Sequence, residues 1–257
     1  MKKYITVAAL LAAGTAANAA APDTSSWDVV SMGSYNSETS TLTDWATFNS
    51  TVSKAADSEV YSVTGGRAGF ETLSIEGTSL NGGLQYDEYS WELSFNVKAI
   101  TETGSKLVFT NNGGAANGSD GLRLYVTKEG DSNAMFDFKL DGNSIFTTET
   151  ALAITSKVTL TWVAESHVLY IGLGGTQVSE VSVSRERYSD FSLGLTTNIG
   201  SGQANPNSEA AIFWTNGGKN NIEGISLKAS AVPEPSAFGM LAGLGALALV
   251  ASRRRRK

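Results

Sequence analysis

The sequence predicts an all-β protein in which two antiparallel sheets pack face to face as a sandwich. Apolar and polar residues alternate in many short segments, a period of two that indicates half-buried strands. Gly, Asn, Ser and Thr are abundant between these segments, where they favour tight turns. The 257 residues include no cysteine. The sandwich must therefore be held together by its apolar core, with bound cations as a possible addition, because disulfides are excluded.

Residues 1–19 have the layout of a secretory signal peptide. Lys2 and Lys3 precede a short apolar stretch, and Ala17-Asn18-Ala19 supplies the small residues of a cleavage site. Cleavage is expected after Ala19, with Ala21 as the next candidate. The apolar stretch is short for a membrane span, which disfavours a retained anchor. Residues 20–231 are then the exported β-sandwich domain, large enough for a core of its own.

The body of the chain is predicted to contain about a dozen strands. Segment 44–56 is the only candidate for a helix, beginning at Thr43 or Asp44. Turns are predicted at Asp141-Gly142-Asn143, at Glu165-Ser166-His167 and at Gly174-Gly175. The predicted strands lie at residues 27–32, 61–70, 90–98, 122–126, 134–140, 144–148, 158–163, 168–173, 178–183, 191–195, 211–214 and 222–227.

Residues 237–251 form an apolar run without a charged side chain, which predicts a helix that enters a bilayer. The run is shorter than a typical span, so its flanks must contribute. Cations stay on the cytoplasmic side of a membrane, which places the basic end inside and the body outside. The basic end, a membrane stop, consists of Arg253, Arg254, Arg255, Arg256 and Lys257.

The stretch Val232-Pro233-Glu234-Pro235, with the apolar run and the basic end behind it, resembles the PEP-CTERM sorting signal of Gram-negative bacteria. The resemblance covers residues 232–257. It implies processing by an exosortase, a transient stay in the inner membrane through the C-terminal helix, and delivery to the cell envelope, outer surface or extracellular matrix. It implies nothing about the activity of the body.

The body carries a second resemblance, of pattern rather than of a diagnostic motif. Lys157-Val-Thr-Leu-Thr-Trp162, Leu169-Tyr-Ile-Gly-Leu-Gly-Gly175 and Trp91-Glu-Leu-Ser-Phe-Asn-Val97 resemble strands of the concanavalin A-like lectin/glucanase jelly roll, in its laminin-G-like form. The likeness spans most of residues 65–230. It implies a jelly-roll β-sandwich. An immunoglobulin-like or other sandwich is the alternative, particularly if the first 40 residues of the body fold separately.

Catalytic signals are weak. The jelly-roll glucanases place two carboxylates in a Glu-x-Asp-x-x-Glu run, which this sequence lacks. Glu88 and Glu92 are the nearest pair and are better explained as a solvated strand start. His167 is the only histidine and falls in a predicted turn, which disfavours a catalytic triad and a catalytic zinc site. The protein is therefore predicted not to be an enzyme.

The binding candidates are aromatic and amide side chains near loops. Trp214, Asn216, Tyr188 and Asn117 combine ring faces with polar edges of the kind that recognise sugars. The Gly/Asn-rich loop that ends in Asp120 is a candidate Ca²⁺ site, because that ion prefers oxygen ligands. Solvated turn carboxylates explain the same loop more simply.

The net charge of the body limits the classes of partner that it can bind. Without the two terminal segments, the body has 12 Lys and Arg against 24 Asp and Glu, a net charge of −12. Such a surface repels nucleic acid and anionic lipid. The sequence predicts an exported protein with a non-catalytic, lectin-like sandwich that binds a glycan or extracellular polysaccharide. The alternatives are a structural or adhesion protein of the matrix that binds other proteins, and a glycan hydrolase with a divergent acidic pair.

Overall fold

The computed structural model describes residues 20–36, 41–43, 45–55, 57–100, 104–112, 121–193, 209–215 and 220–232. Within them the chain forms strands and one 3-10 helix, Arg185–Phe191. The strands are β1 Asp28–Met32, β2 Ser34–Asn36, β3 Thr41–Thr43, β4 Trp45–Lys54, β5 Tyr61–Phe70, β6 Leu73–Ile75, β7 Thr78–Ser79, β8 Tyr89–Ile100, β9 Ser105–Asn112, β10 Leu122–Glu129, β11 Asn133–Leu140, β12 Asn143–Thr147, β13 Leu152–Ala153, β14 Lys157–Val163, β15 Val168–Leu173, β16 Thr176–Ser182, β17 Glu209–Trp214 and β18 Asn220–Ala231.

Hydrogen bonds join sixteen of these strands into one antiparallel sheet. Its main path runs β12-β11-β10-β9-β17-β5-β18-β8-β14-β15-β16, and β2 pairs only with β3. β4 pairs with β5 along its whole length. β1 pairs with β18 and β6, so the first residues of the body belong to the same sheet rather than to a separate unit.

The sheet folds over on itself into two layers. Phe95 in β8 and Phe109 in β9 have ring centroids 5.7 Å apart, although four strand-to-strand steps separate them along the sheet. In a flat sheet those steps would span roughly 19 Å. Phe213 in β17 contacts both rings, at 5.2 and 5.6 Å. The fold is thus all-β and sandwich-like, as the sequence predicts, and it is consistent with a concanavalin A-like body.

A bend in β5 connects the two layers. One end of β5 pairs with β18 in the first layer, and the other end pairs with β17 in the second. Gly65, with a φ of 103°, and Gly66 lie at the bend, where the backbone of β4 comes so close that a Cβ on either would overlap it. The hydroxyl of Thr215 donates to the carbonyls of both glycines and fixes the bend.

The predicted turns are confirmed. Asp141-Gly142, with φ of 52° and 79°, joins β11 to β12, and Gly174-Gly175, with φ of 60° and 84°, joins β15 to β16. Positive φ at both central residues matches the two-residue turn that fits the twist of a β-hairpin. His167, with a φ of 55°, ends the turn between β14 and β15.

Two sequence predictions are wrong. Segment 44–56 contains the strand β4 instead of a helix, because β5 supplies a hydrogen-bonded partner along its whole length and overrides a weak local preference. Segment 191–195 is not a strand where it is described: Phe191 ends the 3-10 helix and Leu193 makes an isolated bridge with Leu84. The carbonyl of Phe191 also accepts a hydrogen bond from the indole of Trp91.

No helix within the described ranges has the length and apolar character needed to cross a bilayer. The predicted signal peptide and the predicted apolar helix 237–251 lie outside those ranges.

The pH dependence of stability should carry a signature of Tyr61, which is 1% exposed. Burial, with a smaller contribution from the charge of Glu59, raises its pKa to about 12 from an ordinary value of 10.0. The stabilising contribution is complete below pH 10 and is lost as the pH rises towards 12. Between pH 10 and pH 12, urea unfolding should show that the free energy of unfolding of Tyr61→Phe falls by about 2 kcal/mol less than that of wild type. Below pH 9 the difference in free energy of unfolding between the two proteins should stay constant. An equal decrease for both proteins between pH 10 and pH 12 would contradict the prediction.

Candidate functional site

A polar groove lies on the outer face of the layer formed by β8, β14, β15 and β16. Residues that are paired across neighbouring strands point to the same face of the sheet, so the pairing of these four strands lines up side chains in rows. One row runs Glu92, Thr161, Tyr170, Glu180 and the next runs Ser94, Thr159, Gly172, Gln177. Their chain neighbours Leu93, Leu160 and Ile171 point into the core. A cavity of about 280 Å³ is lined by Glu92, Thr161 and Tyr170 of the first row and by Thr159, Gly172 and Gln177 of the second.

A glycine opens the floor of this groove. Gly172 faces outward in β15, and a Cβ there would lie 3.2 Å from the Cβ of Thr159. The missing side chain leaves a depression between Thr159 and Gln177. Tyr170, Glu92 and Lys157 line the same cavity. The groove therefore offers one aromatic face together with donors and acceptors of several kinds.

The start of the described chain forms one wall of the groove. The backbone N–H of Ala21 donates to Gln177 Oε1 at 2.6 Å. The hydroxyl of Thr24 donates to Glu92 Oε2 at 2.8 Å, and Lys228 Nζ donates to the carbonyl of Thr24 at 3.3 Å. The bond from Thr24 holds one carboxylate oxygen of Glu92.

Tyr188 is half-buried beside the only histidine. Its ring stacks on that of His167, with centroids 3.8 Å apart and planes 4° from parallel. The ring of Tyr86 lies 6.0 Å away on another side, and that of Trp162 lies 6.3 Å away. One face of Tyr188 is thus covered by the protein itself, which makes it a poorer sugar platform than Tyr170.

Trp214 lies on the outer face of the second layer. It is paired with Arg67, which is in turn paired with Phe48, so the three side chains form a row across β4, β5 and β17. The guanidinium carbon of Arg67 lies 4.2 Å from the ring centroid of Trp214. Trp214 is therefore part of an aromatic and cationic surface that the sequence did not indicate.

Glu88 and Glu92, the nearest carboxylate pair in the sequence, lie in different surroundings. Glu88 is exposed in the turn before β8, whereas Glu92 lies within β8 on the groove. Glu92 is the single carboxylate among the groove-lining residues, and the described ranges hold no group of three or more His, Asp or Glu that could bind a metal ion. Both Trp91 and Trp162 are fully buried core residues.

Several predicted site residues lie outside the described residues. They are Asn117, Asp120, Asn216, Pro233, Glu234, Pro235, Arg253, Arg254, Arg255, Arg256 and Lys257. Val232 is described: its N–H donates to the carbonyl of Glu88 at 2.7 Å, and it borders a second cavity of about 300 Å³ that Trp27 and Glu165 also line. The sorting segment thus begins directly at the folded body.

Comparison with solved structures returns β-rich proteins at low identity. An alginate lyase from Pseudomonas aeruginosa is 9% identical with a TM-score of 0.43, over 82% of this chain and 100% of that one. A carbohydrate-binding module from Bacillus subtilis is 13% identical with a TM-score of 0.36, over 72% and 96%. The binding domain of botulinum neurotoxin DC, in complex with SialylT, is 10% identical with a TM-score of 0.38, over 84% and 51%. This chain spans about half of that toxin domain.

Likenesses at these scores carry no argument about ligand or activity, and no curated protein matches the sequence. One family model does match: the PEP-CTERM protein-sorting motif, at residues 231–256. That span contains Val232, Pro233, Glu234 and Pro235, as the sequence predicts. The chain therefore carries a PEP-CTERM protein-sorting motif, the mark of an exported protein sorted by an exosortase.

Proposed function

We propose that this protein is a non-catalytic lectin of the cell surface, whose outer-face groove binds a neutral glycan. The observation that carries the proposal is the groove between Glu92, Thr159, Tyr170 and Gln177. Sugars present an apolar ring face and a fringe of hydroxyls. Tyr170 offers a surface for the first, and the carboxylate, hydroxyl and amide groups offer partners for the second.

The composition of the surface supports glycan over protein as the ligand. Exposed large apolar side chains in the described ranges are Val29 and Val60, at 50% and 46% exposure. Two isolated valines do not make an apolar docking patch. The groove is also small, and at about 280 Å³ it suits one or two sugar units better than a protein loop.

A binding role is supported over hydrolysis by the number of carboxylates. Glycoside hydrolases use two carboxyl groups that flank the scissile bond, about 5–9.5 Å apart. Glu92 has no such partner among the groove-lining residues. Exosortase processing of the motif, after a transient stay in the inner membrane, would leave the lectin at the outer surface or in the extracellular matrix.

The test is binding of the full-length protein, purified in detergent, to an array of bacterial, plant and mucin-type glycans. We expect Tyr170→Ala to weaken the binding of any positive glycan about tenfold, because the ring contact is lost. Tyr125→Ala is the matched control, since Tyr125 is a half-buried tyrosine on β10, outside the groove. Equal loss in both variants, or no binding by folded wild type, would overturn the proposal and favour a structural matrix protein.

The same array answers two remaining questions about chemistry. Loss of binding on chelation would establish a Ca²⁺-dependent lectin and direct attention to Asp120. Appearance of shortened glycans with wild type, but not with the shape-conserving variant Glu92→Gln, would show hydrolysis and contradict the non-catalytic role.

A further inference from the structure

Phe48, Arg67 and Trp214 pack against one another on the surface, at a place separate from the groove. They lie on β4, β5 and β17, whereas the groove lies on β8, β14, β15 and β16. The guanidinium carbon of Arg67 lies 5.0 Å from the ring centroid of Phe48 and 4.2 Å from that of Trp214. The cation is thus held between two aromatic rings, an arrangement that limits its rotamers.

The rings are themselves supported from below. Ile212, at 1% exposure, and Ala46, at 9%, form a small apolar cluster on this outer face, against which Phe48 and Trp214 pack. Their strand neighbour Phe213 points the opposite way, into the main core. The cluster fixes the height and tilt of both rings, and through them the position of the guanidinium.

Arg67 has no acidic partner within salt-bridge distance in the part of the chain that the structure describes. Burial against the rings lowers the pKa of its guanidinium, because part of the hydration shell is lost. Partial loss of hydration, with no carboxylate within salt-bridge distance in the described ranges, favours pairing of the guanidinium with an external anion. Such a cation is well suited to receive an anion from outside.

A second polar group points to the same conclusion. The indole Nε1 of Trp214 is buried and has no hydrogen-bond partner within the described residues. Buried donors in proteins are nearly always satisfied, and an unsatisfied one calls for a reason. A ligand oxygen could supply the missing acceptor once a shift of the indole brings Nε1 to the surface.

We propose that Phe48, Arg67 and Trp214 form a second binding site, which takes the carboxylate of an acidic sugar. The guanidinium is a planar fork whose donors match the two oxygens of a carboxylate. The half-buried rings of Phe48 and Trp214 offer apolar contact to a sugar ring. The site is independent of the groove, so either can exist without the other.

Isothermal titration calorimetry of the full-length protein in detergent measures its affinity for a glucuronate oligosaccharide and for a neutral glucose oligosaccharide of equal length. We expect only the glucuronate oligosaccharide to bind at this site, with an affinity that falls as salt is added. Arg67→Gln should weaken that binding about tenfold or more, because a charge-assisted pair is lost. Arg67→Lys should weaken it as well, because the charge remains but the fork does not.

Two control variants make the result decisive. Arg185→Ala removes an exposed arginine from the 3-10 helix and should leave binding unchanged. Tyr170→Ala weakens the proposed groove, so the binding that remains in this variant reports on the Arg67 site, and it should still prefer the glucuronate oligosaccharide. Unaltered affinity in Arg67→Gln, with the thermal unfolding of wild type, would overturn the proposal, as would equal binding of the two oligosaccharides by Tyr170→Ala.

Discussion

Replacing Phe213 with alanine is expected to lower the free energy of unfolding by about 3–5 kcal/mol, the usual cost of removing a buried aromatic ring. Phe213 is fully buried in β17, and its ring lies 5.2 Å from that of Phe95, 5.6 Å from that of Phe109 and 6.1 Å from that of Phe70. These rings belong to four strands in both layers. The cavity would therefore open where the two layers meet, and few neighbours could move to fill it.

Urea unfolding followed by tryptophan fluorescence measures this effect. Phe146→Ala is the matched control: Phe146 is only half-buried, in β12 at the end of the sheet path. It should lose clearly less than Phe213→Ala, since less buried surface is removed. Similar losses in the two variants would mean that the layers are not joined through the ring of Phe213.

Gly66→Ala is expected to destabilise the protein by about 2–4 kcal/mol, in the range of overpacked or strained buried sites. In the interior of an ordinary strand, alanine is preferred over glycine by about 0.5–1 kcal/mol, so the expected sign is reversed here. The cause is the bend: a Cβ at Gly66 would overlap the carbonyl oxygen of Phe48 and lie 3.1 Å from its carbonyl carbon. Backbone atoms cannot give way as a flexible side chain can.

Thermal and urea unfolding of Gly66→Ala, beside Gly130→Ala, would test this. Gly130 lies in a hairpin turn with a φ of 72°, and a Cβ there would meet nothing within 4 Å. Its replacement should cost only the conformational penalty, roughly 1 kcal/mol. A smaller loss at Gly66 than at Gly130 would show that β4 and β5 can separate at the bend without cost.

The elements that the sequence predicts well are those whose signals are local. β5 occupies the predicted segment 61–70, and the hairpin turns fall where Asp-Gly and Gly-Gly dipeptides allow positive φ at both positions. β4 could not be predicted in this way, because the strand is specified by its partner β5 and not by its own pattern. The start of segment 191–195 likewise makes its contacts with distant residues: the carbonyl of Phe191 accepts from the indole of Trp91, and Leu193 forms a bridge with Leu84.

The same distinction between local signals and contacts of distant residues applies to the candidate sites. Trp214 and Tyr188 are aromatic residues near loops and both are half-buried: Trp214 packs on Arg67, and Tyr188 stacks on His167. The groove was missed because Glu92, Tyr170 and Gln177 become neighbours only through strand register. Arg67 was missed for the same reason. Phe48 and Trp214 are far from Arg67 in the sequence and become its neighbours only because β4 and β17 both pair with β5.

The position of β18 in the sheet bears on when this protein folds during export. β18 pairs with β8 along one edge and with β5 and β1 along the other, yet it is the last strand of the body. Until residues 220–231 have crossed the membrane, β5 and β8 lack their shared neighbour and the sheet is open in the middle. Contacts between such distant parts of a chain form slowly. For a chain exported from its N-terminus, the sheet would close only once residues 220–231, directly before the sorting motif, have crossed the membrane.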